Sequence, residues 1–449
     1  MKFPDYGNPI ELADEFLQSK ASSNQRIIWY KGSFYQFDSR KYESFSSDEI
    51  RSDLYQFFQN LFDCRDLAKP PKKKSVDDII DALKARVLVK SDSIPFWLDN
   101  HAGNSDPTNW LNVSNCLVNL TSNESLAHAN NYFSVNSIDL IFDPTLPKPE
   151  RWLNFLNNIW NDDMESIDCL QEWFGYLLSS KTNLQKALMI IGPKRAGKGT
   201  IIRILQTLLG KSAITNPTFG NLSHQFGLTS LIGKHLAVIT DARLSAKTDI
   251  SAVIEVLLRI TGEDSISIPR KYLSDWQGKL GARFLVCTNE IPMLFDSSNA
   301  VSSRFIILKL TKSFFGVEDS ELTEKLMGEL PSILNWSLEG LRRLTERGSF
   351  IQPVSANDTL DLFNEIGSPI DSFISDKCVL TPDAEITCGD LFNLWKDWAA
   401  SQNLTHIGSV QMFGRNLAAA RPEIQKKQGL AEGQKRRYYV GIREKYIYE

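Results

Sequence analysis

Residues 190–209 read IIGPKRAGKGTIIRILQTLL, and the fold turns on how this stretch is read. The apolar run 187–191 ends at Gly192. Five residues later come Gly197 and Lys198, and then an apolar pattern of helical period that opens at Gly199 and Thr200. Strand, glycine-bounded loop, lysine and helix form the layout that cradles a nucleoside triphosphate. Glycines let successive backbone N–H groups approach phosphate oxygens. The helix N-terminus adds partial positive charge and Lys198 a full one. The expected nucleotide site is therefore Gly192, Pro193, Lys194, Arg195, Ala196, Gly197, Lys198, Gly199 and Thr200.

Composition sets the outer limits. A chain of 449 residues holds two to four domains at about 100–200 residues each. Its 42% hydrophobic content supplies real cores, and a net charge of −4 confines any nucleic-acid surface to local patches. Six scattered cysteines, with no CxxC pair and no nearby histidine, give neither a zinc site nor a disulfide framework. No signal-peptide pattern opens the chain and no apolar run nears ~20 residues, so a soluble, cytoplasmic protein that does not enter a membrane is expected.

Along the chain, RIIWYKGSFYQF (26–37) reads as a hairpin, SDEIRSDLYQFFQNLF (47–62) and 76–89 as helices, and KPPKKK (69–74) as a loop. Residues 112–143 are strand and turn. Residues 152–160 and 167–178 are helices whose tryptophans fall at packing spacing. Four short apolar runs, 187–191, 235–240, 283–288 and 305–310, are expected as strands of a largely parallel covered sheet, making the fold α/β.

Each run ends on polar residues at the edge where such sheets bind ligands. Asp241 ends the second run, where an acid holds Mg²⁺ beside phosphates, with Thr200 as its partner ligand. Asn289 ends the third, placed to orient water or sense a phosphate. Arg304 precedes the fourth, placed to reach a phosphate in a neighbouring subunit. Between the second and third runs lies a helix (253–260) and a hairpin with Arg270, Lys271 and Tyr272 at its tip and Lys279 and Arg283 on the return, suited to nucleic-acid phosphate and stacking. At the C-terminal end, two helices (387–402 and 409–420) precede a basic hairpin, IQKKQGLAEGQKRRYYVGI (424–442). There Lys435, Arg436 and Arg437 join Lys426, Lys427, Tyr438 and Tyr439 in the pattern of a winged-helix DNA-binding domain.

The ordered series GPKRAGKGT, HLAVITDAR, ITGEDSISIPRKY, FLVCTNEIP and SSRFIIL resembles superfamily 3 helicases, and among them the helicase half of primase–helicases of phages, plasmids and poxviruses. PERWLNFLNNIW and LQEWFGYLLSS resemble the segment preceding that core, so the resemblance covers about 115–345. It implies an AAA+-like P-loop NTPase core (185–345) behind an N-terminal α+β region (1–110) and a strand-and-helix collar (111–184), followed by a linker and winged helix (346–449). It further implies ATP and Mg²⁺ as cofactors, and a homo-oligomer, a hexameric ring, that moves on single-stranded and forked DNA. The setting it implies is a mobile element in a bacterial host cytoplasm. Residue by residue, Lys198 and Thr200 match the phosphate loop, Asn289 the sensor and Arg304 the finger. Lys271 and Tyr272 match the tip of the channel hairpin, with tyrosine where viral relatives carry histidine. Where many relatives pair two acids, this chain has Thr240-Asp241, and Glu263 is the spare carboxylate nearby in sequence. No Asp-x-Asp pair of the kind a primase needs is present, so a separate primase or polymerase is the implied partner. Two other classes share parts of the pattern: a nucleotide kinase, through GKGT, and a ring-forming NTPase for origin recognition or defence that binds DNA without unwinding it.

Overall fold

The computed structural model describes residues 8–65, 72–91, 94–99, 106–161, 163–240, 242, 248–271, 273–294, 299–402, 408–431 and 434–445. At its centre five strands run parallel, in the order Ile214–Thr215, Leu236–Thr240, Arg283–Thr288, Ala187–Ile191, Phe305–Lys309. Four of these are the expected ones. The fifth, two residues at the edge, is too short to carry a period. The runs are continuously apolar because both faces are covered. Leu188 and Ile190 face one core with Ile201, Leu205, Trp173 and Trp336, whereas Ala187, Met189 and Ile191 face another with Val253, Leu257 and Phe284.

The helix Lys198–Leu209 buries Ile201, Ile204, Leu205 and Leu208, spaced three and four apart, and stops at Gly210 with φ 80°. Beyond it the same core takes in Glu150–Trp160, Met164–Leu178 and Leu330–Arg347. Trp152 and Trp173 are fully enclosed there, as their spacing implies. Met164–Leu178 and Leu330–Arg347 touch backbone to backbone. A Cβ on Gly175 would stand 2.3 Å from the Ser337 carbonyl oxygen, and one on Gly340 2.5 Å from that of Gln171. The Gln171 amide donates to Trp336 O at 2.8 Å, and buried Glu172 pairs with Arg343 at 2.8 Å and with Arg347.

The N-terminal part packs the helices Pro9–Ser22, Ser47–Arg65 and Lys73–Arg86 against a three-stranded antiparallel meander, whose first two strands are the expected hairpin. The third helix starts at Lys73, inside the segment expected as a loop; residues 66–71 lie outside the described residues. After residue 356 the order is Asn357–Gly367, Pro369–Lys377, strand Cys378–Thr387, helices Cys388–Ser401 and Val410–Ala420, then strands Gln425–Ala431 and Gln434–Glu444. The long last strand lies between the other two, antiparallel to both. Phe373, Trp395, Trp398, Phe413, Leu417 and Ile442 form its core. Among the described residues no helix is long and apolar enough to cross a membrane.

His235, just before the strand Leu236–Thr240, is half-buried where the N-terminal part meets the sheet, and shares a 2.8 Å hydrogen bond with the Asn136 amide. Burial, and then the Arg283 guanidinium, push its pKa down to about 4. An unfolded histidine takes up its proton near pH 6.5, so stability is full above that value and is lost as pH falls toward 4, by up to about 3 kcal/mol. The denaturant midpoint should therefore fall between pH 7 and pH 4.5, and fall less in His235→Gln. In the helix pair, Gly340→Ala should destabilise by about 1–3 kcal/mol through overpacking, read as a lower thermal midpoint.

Candidate nucleotide-binding site

The strands Ala187–Ile191 and Arg283–Thr288 end side by side, and the glycine-bounded loop leaves the first. Gly192 N donates to Thr288 O at 3.3 Å. A Cβ at Gly192 would lie 2.6 Å from the Leu310 carbonyl oxygen, so glycine is required at the exit. Arg195 (φ 59°) and Gly197 (φ 96°) take left-handed conformations that turn the loop back on itself. The following helix starts at Lys198, one residue earlier than expected.

Lys198 Nζ donates to Gly192 O at 2.6 Å, to Pro193 O at 2.8 Å and to Asn289 Oδ1 at 2.9 Å. The lysine and the amide, 91 positions apart, thus converge at the ends of adjacent strands. Burial holds the Lys198 ammonium below the ordinary lysine pKa, and pushes the neighbouring Cys287 thiol up to about 12.

The loop opens on a cavity of about 1180 Å³. One wall is the helix Glu150–Trp160, which turns Arg151, Asn154 and Asn158 to the cavity. Their three- and four-residue spacing in PERWLNFLNNIW was the available signal, but the segment reads first as a packing helix. Another wall is the segment after strand Phe305–Lys309. Ser313 Oγ donates to Lys194 O at 2.8 Å, Phe314 N to Arg195 O at 3.0 Å, and Arg195 Nε lies 3.4 Å from Glu318.

Arg203, not singled out by sequence reasoning, also lines the cavity, and its Nη2 donates to Thr200 Oγ1 at 3.4 Å and Thr323 Oγ1 at 3.2 Å. This bears on the expected Mg²⁺ ligands, Thr200 and Asp241. Thr200 is 9% exposed and its hydroxyl accepts from a guanidinium. Asp241 lies outside the described residues, and among the described residues no group of three or more His, Cys, Asp or Glu is placed to hold a metal ion.

The remaining candidates lie elsewhere. Arg304 ends the short helix before strand Phe305–Lys309 and bonds to Gln185. It sits at the N-terminal edge of the sheet, a strand length of five residues, ~16 Å at ~3.3 Å each, from the phosphate loop of its own chain. Glu263 is at that edge too, accepting from Thr182, so it cannot be the spare carboxylate beside the loop. Arg283 is also removed from the hairpin surface: it is 3% exposed, donates to Ser179 O and Lys181 O, and stacks on Tyr176. The hairpin of Ile266–Arg270 and Leu273–Gly278 forms as expected, and its tip exposes Lys271, with Nζ 5.7 Å from the Phe226 ring. Arg270 Nε is tied to Ser274 O at 3.0 Å, and Tyr272 lies outside the described residues. In the C-terminal hairpin, Arg436 and Arg437 are exposed on opposite faces, as adjacent strand residues must be. The Lys435 side chain lies outside the described residues. Tyr439 belongs to the core and is not part of an exposed basic-aromatic surface.

Residues 12–161 match the family described as D5 N terminal like, and residues 190–304 match a family of unknown function (DUF5906). The chain is 23% identical over 157 residues to a DNA primase-polymerase of Nitratiruptor phage NrS-1, covering 35% of this chain and 22% of that protein. It is 24% identical over 170 residues to an amino-acid acetyltransferase of Aliivibrio fischeri, covering 36% of each. The matches thus span well under half the length of these curated relatives. Two apo structures of the NrS-1 C-terminal region superpose over nearly the whole chain. One covers 95% of this chain and 98% of its own, with TM-score 0.54 and 12% identity; the other covers 96% and 99%, with TM-score 0.51 and 13% identity. At that identity the likeness is one of fold.

Proposed function

We propose that the chain is an ATP-driven DNA motor, a replicative helicase of a phage or other mobile element that works in a bacterial host cytoplasm. The observation that carries this reading is the convergence of Lys198 Nζ with Asn289 Oδ1 at 2.9 Å, at the mouth of a cavity entered by a helix N-terminus. A triphosphate in that place would take over Lys198 from the three oxygens that now hold it, and Asn289 would be released to face the terminal phosphate. The parallel sheet and its loop are read as an AAA+-like P-loop core. The helix–strand–helix–helix–strand–strand order of 369–444 is read as a winged helix, with Arg436, Arg437 and Lys435 toward DNA.

Arg304, at the far edge of its own sheet, can serve only a nucleotide bound by a neighbouring copy. The reading therefore includes a homo-oligomeric ring, a hexamer in this proposal. Lys271 at the hairpin tip would bear on the phosphates of single-stranded DNA at a fork, and a separate primase or polymerase would supply the priming step. The likeness of the fold to the NrS-1 C-terminal region, and the partial sequence similarity to a phage DNA primase-polymerase, support a replication role.

Steady-state ATP hydrolysis with and without single-stranded DNA tests the proposal. Lys198→Ala should lose hydrolysis at least a hundredfold, while Lys271→Ala should keep the basal rate and lose the DNA stimulation. Phosphorylation of an added nucleoside monophosphate would point to a kinase, and DNA-stimulated hydrolysis without strand displacement to a DNA-binding NTPase that does not unwind. No DNA response in the wild type would sink the motor.

A further inference from the structure

We propose that Arg203 is a phosphate-binding residue of this site, and that its guanidinium supplies the charge that a hydroxyl-held Mg²⁺ supplies in loops where Ser or Thr follows the lysine. The inference rests on the nucleotide reading of the cavity and concerns how the polyphosphate is held.

Three observations point to this role. Gly199 and Arg203 are four apart on one helix and share a face. Arg203 Nη1 lies 3.5 Å from where a Cβ on Gly199 would stand, so the guanidinium lies against the first turn of the helix, at the residue that replaces the usual hydroxyl.

The partners of Arg203 form the second observation. Among the described residues it pairs with no carboxylate and donates only to the hydroxyls of Thr200 and Thr323. Two other cations of the same cavity are paired with acids, Arg195 with Glu318, and Lys325 with Asp319 and Glu321, whereas Arg203, like Lys198, is held by neutral oxygens. A guanidinium held by two hydroxyls keeps donors for an anion, and its planar fork matches two phosphate oxygens. Lys198 and the helix N-terminus place further positive charge within the same turn and a half, an arrangement that an anion relieves.

Third, the Thr200 hydroxyl accepts from this same guanidinium at 3.4 Å, so Arg203 lies beside the one hydroxyl that the phosphate loop carries.

Equilibrium titration of the full chain with N-methylanthraniloyl-ATP, once with Mg²⁺ and once with excess EDTA, tests the assignment. The wild type should bind in both buffers with affinities within about threefold. Arg203→Ala should weaken binding at least tenfold in both, and Arg203→Lys should recover part of the loss, because a point charge restores attraction but not the fork. Thr200→Val should change affinity by less than threefold. The thermal midpoint of Arg203→Ala without nucleotide should match the wild type, since this side chain is exposed on the helix surface. Two results would overturn the assignment while leaving the nucleotide site standing. One is Arg203→Ala binding as tightly as wild type when Lys198→Ala does not. The other is Thr200→Val losing the Mg²⁺-dependent binding that Arg203→Ala retains. A wild type that binds no nucleotide in either buffer would overturn both readings.

Discussion

Two-sided burial of the strand Ala187–Ile191 is the constraint from which the rest follows. Its odd and even positions are committed to different cores, so a slip of one residue would exchange the two sets. The register with Arg283–Thr288 on one side and Phe305–Lys309 on the other is therefore held firmly. Because the register is held, the exits of adjacent strands fall side by side. Gly192 then meets Leu310, and Lys198 meets Asn289, without any contact dedicated to bringing them together. The chemistry at the loop is a consequence of how the middle of the sheet is packed.

The sheet also separates the marked residues by direction. The cation-rich loop and cavity lie at the C-terminal ends of the strands, whereas Arg304, the Glu263–Thr182 bond and buried Arg283 lie at their N-terminal ends. Arg283 is held there by backbone carbonyls and the Tyr176 ring, not by an acid, and burial lowers its pKa. A chain of net charge −4 can thus be strongly positive at one place, because the local field depends on which side chains a fold collects and not on their sum.

What could be read beforehand was what local sequence encodes. Short apolar runs marked four strands within a residue, and helical spacing placed the tryptophans of 152–173 in the core. What could not be read depended on contacts between distant segments. The step from Gly199 to Arg203 is one helical turn, but nothing local shows that Arg203 also reaches Thr323, 120 positions on. Glu263 and Arg283 lie close to the motifs in sequence, but strand direction carries them to the opposite edge. Tyr439 sits close to the arginines in sequence, and only the packing of distant residues such as Phe373 and Phe413 shows that its ring belongs to the core. The strand Cys378–Thr387, half-buried or exposed after its first residue and mixed in polarity, carries no period that would announce it.

The contact between Met164–Leu178 and Leu330–Arg347 has a consequence for how the molecule is made. Gln171 and its acceptor Trp336 are 165 positions apart. At about 5–20 residues per second on the ribosome, the first helix emerges roughly ten to thirty seconds before the second exists. During that interval the groove around Gly175 and the indole of Trp173 have no cover. The sheet strands are all synthesised within it, so the core is assembled around an open side that closes last. A chaperone that shields one apolar helix face would find its substrate there, on the nascent chain and not on the finished protein.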